Sequence, residues 1–170
     1  MIIDIKNIHE DFIMYSVEAE DKRSAVLELI KDQADFSGAD LNGIDLSGID
    51  LRNFNFEGAD LRGAKFNGAS LYRASFKDAF LENADCRGAN FKGADLRNSD
   101  CRGADFRGAD LTYSDLHRAH FRGADFRGAN IDFSCWTLSC ETLQAIVDDK
   151  VRIQLLYHAA TPTSDIVDTD

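Results

Sequence analysis

ADCRGANFKGADLRNSDCRGADF, residues 84–106, returns to the same kind of residue every five positions. Cys86, Phe91, Leu96, Cys101 and Phe106 mark the centres of successive pentads, and the register runs unbroken from Ala34 to Trp136, 21 pentads in all. Two residues before each centre stands a small side chain, alanine in 15 of the 21 pentads, with Ile44, Ile49, Phe54, Ser99, Ser114 and Ser134 as the exceptions. Centre and small residue both face inward, where large and small side chains fill a narrow tube at close-packed density, and the residue between them faces water. That intervening residue is Asp in 12 pentads and Asn in three. All 12 glycines fall two residues after a centre, so the chain turns once per pentad. Neither a helix of period 3.6 nor a strand of period 2 yields a strict five, and fixed periods of this kind mark solenoids.

Units such as Ala59-Asp60-Leu61-Arg62-Gly63 and Ala104-Asp105-Phe106-Arg107-Gly108 resemble the pentapeptide repeat family over 103 of the 170 residues. The resemblance implies an all-β solenoid, a right-handed quadrilateral β-helix in which four pentads make a turn and residues 20 apart stack. By that implication the chain holds about five coils, roughly 25 Å long at a strand spacing of ~4.8 Å.

The ends break the pattern and divide the chain into a capping segment 1–33, the solenoid 34–136 and a C-terminal segment 137–170. Residues 12–17 read as a strand, and Asp21 as the N-cap of a helix from Lys22 to about Gln33, with Val26, Leu29 and Ile30 on one face. An open solenoid leaves backbone groups and apolar surface bare at both ends, so this strand-plus-helix segment is the expected N-terminal cap. Residues 142–147 read as a strand or as the first turns of a helix. From the N-cap Asp148, residues 149–160 read as a helix with Val151, Ile153, Leu155, Leu156 and Tyr157 on its apolar side. This helical C-terminal cap seals the last coil, joins a second copy as a homodimer, or does both. Tyr113 and Phe133 stand where glycine usually stands, 20 residues apart, and the C-terminal segment is expected to pack over them; a ligand platform is the alternative.

The net charge of -11 is held mostly at the ends: segment 1–33 has four bases against eight acids, 34–136 has 13 against 16, and 137–170 has two against six. Stacking by 20 sets Arg87, Arg107 and Arg127 in one column beside Asp85, Asp105 and Asp125, with Arg102 and Arg122 in a second column near Asp100. These columns read first as a self-neutralising surface and second as partner-facing charge. Direct binding to nucleic acid is not expected without a net basic patch.

No apolar run approaches the ~20 residues of a membrane span, and Met1-Ile2-Ile3-Asp4-Ile5 lacks the basic start and apolar core of an export segment, which predicts a cytoplasmic protein with no membrane association. Cys86 and Cys101 sit at centres as small buried side chains. A zinc site from Cys135, Cys140, His117 and His120 lacks CxxC spacing, so packing is the preferred reading and neither metal nor cofactor is expected. No nucleophile with its base is evident, so an enzyme is not expected. The expected role is a protein-binding or structural scaffold whose partner is another protein. The alternative implied by the resemblance is a DNA mimic that binds DNA gyrase or topoisomerase, a role that the arginines interrupting the acidic field argue against.

Overall fold

The computed structural model describes residues 1–10, 12–135 and 145–152. Five backbone N–H groups per pentad have to be satisfied, and the unit at Asp60 shows how. Asp60 N–H reaches back to Ala39 O at 3.0 Å, Leu61 and Gly63 N–H reach forward to Phe80 O and Glu82 O at 2.8 and 2.9 Å, and Ala64 N–H closes a turn on Leu61 O at 3.0 Å. The fifth, Arg62 N–H, donates to its neighbour's carboxylate, Asp60 Oδ1, at 3.2 Å. Parallel bridges join residues 20 apart along four columns, as in Asp40↔Asp60, Asp45↔Lys65, Asp50↔Ser70 and Asn55↔Ser75. This is the stacking interval that the resemblance implies, in an all-β solenoid.

Each turn needs a left-handed residue two positions after its centre. Twelve are glycines, but Asn53, Arg73, Asp78, Asn83, Asn98, Tyr113, Arg118 and Phe133 adopt the same conformation, and Gln33 (φ 57°) begins the series. Every described centre is buried. Phe36, Phe56 and Phe76 stack at 5.7 and 5.2 Å, and Phe106 on Phe126 at 5.0 Å. The serines at small positions satisfy themselves locally: Ser99, Ser114 and Ser134 hydroxyls donate to the carbonyls of Leu96, Leu111 and Ile131 at 2.7, 2.7 and 2.6 Å.

The N-terminal segment contains more than the expected strand and helix. Strand β1 (Ile2–Lys6) pairs antiparallel with β2 (Ile13–Glu18), and helix α1 (Lys22–Lys31) follows with Asp21 accepting from Ser24 N–H at 2.7 Å. The sequence reading passed over β1, whose Ile3 and Ile5 alternate toward the interior, and it extended α1 two residues too far, because Gln33 already turns left-handed. The hairpin lies across the first coil: Asn7 pairs antiparallel with Ala39, and Lys6 O accepts from Asp40 N–H at 2.8 Å. Ile5, Ala25 and Val26 are fully buried, and Ile5 and Val26 share one apolar core with Phe36, Leu41 and Leu46.

At the other end Ile146 continues the column of Asp125, one residue beyond the 20-residue interval. Asp148 then accepts from Val151 N–H at 2.9 Å through Oδ1 and from Gly128 N–H through Oδ2, so one carboxylate ends the ladder and opens the helical turn that follows. Trp136 and residues 142–144 lie outside the described residues.

Candidate functional site

The aspartates between small residue and centre are turn-makers. All fifteen Asp or Asn side chains at this position accept a hydrogen bond from the backbone N–H two residues on, at 2.8–3.3 Å. This local closure is the Asx turn. Where the residue two on is arginine, its guanidinium folds back onto the same carboxylate: Arg87, Arg107 and Arg127 Nε lie 2.8, 2.8 and 3.0 Å from Asp85, Asp105 and Asp125. The column also interlocks between coils, with Arg87 3.8 Å from Asp105 and Arg107 3.7 Å from Asp125. Arg102 pairs with Asp100 and, one coil back, with Glu82. Arg122 differs, because His120 occupies the aspartate's position; among the described residues it has no carboxylate partner, and with Arg62 and Arg102 it lines a shallow groove on that wall.

These pairs govern acid sensitivity. Side-chain hydrogen bonds from Arg87, Arg107 and Arg127 hold the carboxyls of Asp85, Asp105 and Asp125 below the ordinary carboxylate range; burial pushes the other way, and the arginine backbone N–H adds to the lowering. A carboxyl whose folded pKa is depressed contributes stability that is complete above its unfolded pKa of about 4 and is lost as pH falls through the folded value. Thermal stability is therefore expected to hold between pH ~7 and ~5 and to fall below pH ~4. The triple variant Asp85→Asn, Asp105→Asn, Asp125→Asn keeps the turn acceptors and is expected to show a shallower acid limb in melts taken across this range. An unchanged limb would place the acid sensitivity elsewhere.

The thiols at centres are sealed. Burial pushes Cys101 up to about 12 and raises Cys86 as well. At a pH of about 8 the Cys101 thiolate fraction is then on the order of 10⁻⁴, and both thiols are expected to stay unmodified by Ellman's reagent in the native protein and to react on denaturation. Prompt native labelling, mapped by mass spectrometry, would contradict the inward placement. Cys135 is half-buried and Cys140 lies outside the described residues; no three His, Cys, Asp or Glu side chains converge as a metal cluster among the described residues.

The C-terminal segment expected to pack over the aromatic pair lies mostly outside the described residues. Tyr113 and Phe133 are 59% and 65% exposed, and their rings stack at 5.1 Å and 8°. They hold φ of 58° and 57°, a conformation that costs a non-glycine residue roughly 1–2 kcal/mol, against about 0.5–1.5 kcal/mol gained by a stacked pair. Packing alone does not favour aromatics here over glycine. Val151, read as part of a cap or dimer surface, is fully buried against the coil core; Ile153, Leu155, Leu156 and Tyr157 lie outside the described residues. The sequence reading missed the setting of the pair. Tyr72 carries the Arg73 guanidinium 5.2 Å from its ring centre, and Lys92 Nζ lies 5.7 Å from that of Tyr113. Stacking by 20 places all five on one wall, and that arithmetic was available from the sequence.

A family model described as pentapeptide repeats matches in 8 copies over residues 32–68, 69–108 and 99–132, more than half of the chain. Among solved structures, a pentapeptide repeat protein from the Arabidopsis thaliana thylakoid lumen is similar at 31% identity and a TM-score of 0.55, over 76% of this chain and 82% of that one. A pentapeptide repeat protein from the cyanobacterium Cyanothece 51142 shares 26% identity at a TM-score of 0.43, over 61% of this chain and 64% of that one. QnrB1, a plasmid-mediated fluoroquinolone resistance protein, shares 16% at a TM-score of 0.45, over 72% and 66%. A comparison with curated proteins returned no match. Family and solenoid fold follow from the family model and the likeness to the thylakoid-lumen protein, and nothing narrower.

Proposed function

The chain belongs to the pentapeptide repeat family, and from that premise we propose a non-enzymatic, cytoplasmic scaffold that binds another protein through the outer wall of its coil. In this reading the coil winds right-handed through about five four-sided turns, and its length presents a rigid wall to the partner. The observation that carries the proposal is the exposed Tyr113–Phe133 stack, two large aromatics held on left-handed backbone and packed, among the described residues, chiefly on each other. The interlocked Asp–Arg columns make the neighbouring wall self-neutral, so they serve solubility more than recognition. The C-terminal helix acts as a seal, a role supported by the burial of Val151.

The test uses the double variant Tyr113→Gly, Phe133→Gly, which installs the residue found at twelve sister positions. Affinity capture from lysate is expected to recover a partner with the parent chain and to lose it with the variant, at unchanged circular dichroism. Equal recovery by both would remove this wall from the function. The topoisomerase alternative needs a continuous acidic face, which Arg87, Arg107 and Arg127 interrupt; a gyrase supercoiling assay at micromolar protein is expected to show no inhibition, and inhibition would favour the DNA-mimic reading instead.

A further inference from the structure

The column that ends in the aromatic stack reads Asn53, Arg73, Gly93, Tyr113, Phe133, one residue per coil and all left-handed. Gly93 leaves its level bare. A Cβ built there would meet the Arg73 Cγ at 3.4 Å and no other atom within 4 Å, and the Lys92 ammonium lies over the Tyr113 ring, so no ring fills the level between Arg73 and Tyr113. Strands stack ~4.8 Å apart, so a planar group seated over Gly93 would lie about one strand spacing from Tyr113 and one from Arg73. The stack of Phe133 on Tyr113 already runs at 5.1 Å, and the seated group would continue it.

The charge around this slot is uncommitted. At least nine of the thirteen Lys and Arg of the coil pair with a carboxylate. Arg73 and Lys92 do not among the described residues; their heads rest beside the rings of Tyr72 and Tyr113. The acids of the same wall are engaged: Asp50 holds Arg52, and Asp110 accepts from both the N–H and the hydroxyl of Thr112. In a chain of net charge -11, two cations without carboxylates among the described residues, set over the half-buried ring of Tyr72 and the exposed ring of Tyr113, form a local exception. The grooves of the coil lie on another wall, around Arg102 and Arg122, so this surface is open rather than a pocket for a small molecule. Tyrosine and arginine are the residues that dominate protein–protein hot spots, and ring stacking combines with cation–π attraction.

We propose that Tyr72, Arg73, Lys92, Tyr113 and Phe133 form a docking site for a segment of a partner protein that carries an aromatic side chain flanked by carboxylates. The aromatic ring seats over Gly93 against Tyr113, displacing the Lys92 ammonium sideways, and the carboxylates engage Arg73 and Lys92. This rests on the scaffold reading above and names the chemistry of its partner.

The experiment pans a phage-displayed random peptide library on the full chain and measures the recovered peptides by fluorescence anisotropy. The expected result is enrichment of an aromatic residue beside Asp or Glu, with affinity reduced about tenfold or more by Arg73→Asn with Lys92→Ser, and again by Tyr113→Gly with Phe133→Gly. All four substitutions use residues found at equivalent positions of other pentads, and circular dichroism checks the fold. Arg87→Ala, on another wall, is expected to leave binding unchanged. Peptides without the acidic–aromatic pairing, affinities indifferent to both double variants, or no enrichment at all would overturn the proposal. So would light scattering that shows a dimer converted to monomer by Tyr113→Gly with Phe133→Gly, since a second copy would then be the occupant. The capture experiment judges the scaffold reading separately, because it does not depend on the composition of the ligand.

Discussion

Phe106→Ala is expected to destabilise the protein by ~3–5 kcal/mol in chemical denaturation. Phe106 has no solvent exposure, and its ring touches three others: Phe126 at 5.0 Å in parallel, Phe91 at 5.6 Å and Phe121 at 6.1 Å edge-on. Truncation removes both the burial and the partner of each ring. The void cannot collapse easily, since the four walls are fixed by hydrogen-bonded columns above and below and the neighbouring small residues, Ala104 and Ala109, have no side chain to move into it. A loss under ~1 kcal/mol would mean that the coil relaxes around the gap, contrary to a wall set by its ladder. The denaturation midpoint should move without a change in slope, since the surface exposed on unfolding is nearly the same.

A second large effect is expected at the small positions. Ala64, Ala84, Ala104 and Ala124 form an inner column with almost no exposure; their N–H groups close turns on the carbonyls three residues before, and their C=O groups accept from the next coil. Ala104→Asp puts a carboxylate where no donor is free, and a loss of at least ~3–5 kcal/mol is expected near neutral pH. Ala104→Leu separates size from charge, because overpacking alone should cost ~1–3 kcal/mol. The two variants should also part company with pH. The buried carboxyl has a folded pKa above its unfolded value, so its penalty is absent below pH ~4 and grows as pH rises through the folded value. The gap between Asp and Leu variants should therefore narrow in acid, where the parent chain itself weakens as its Asp–Arg pairs protonate. A gap independent of pH would mean that the introduced side chain reaches water.

The five-residue period made the coil legible before any coordinates, because one defect in register would misplace every later side chain and none occurs. The repeated aspartates were legible as a device, but their target was not. Only the full ladder reveals that one N–H per pentad has no backbone carbonyl to reach, and that Asp60 or Asp105 supplies its acceptor. The serines at 99, 114 and 134 looked like lapses from alanine; a turn carbonyl within reach of each hydroxyl explains them. The cover expected over Tyr113 and Phe133 falls largely on residues 136–144 and 153–170, outside the described residues. Stacking by 20 follows from the repeat, whereas the path of the chain after it depends on contacts that the repeat does not encode. Strand β1 escaped notice because its partner outside the hairpin is the coil itself, met just past its end where Asn7 pairs with Ala39, 32 residues along.

That last pairing bears on assembly. Each coil is a template for the next, and a stack of identical parallel coils contains no internal instruction to stop, so coils of separate molecules could in principle nucleate one on another and polymerise head to tail. The strand at Asn7 runs opposite to every coil it faces. It saturates donors and acceptors around Gly38 and Asp40 with the wrong polarity for another parallel coil to follow. At the far end Asp148 replaces a backbone carbonyl with a carboxylate on the ladder, and a carboxylate offers an incoming coil no onward N–H. Among the described residues, both ends of the ladder thus meet groups that do not template a further parallel coil.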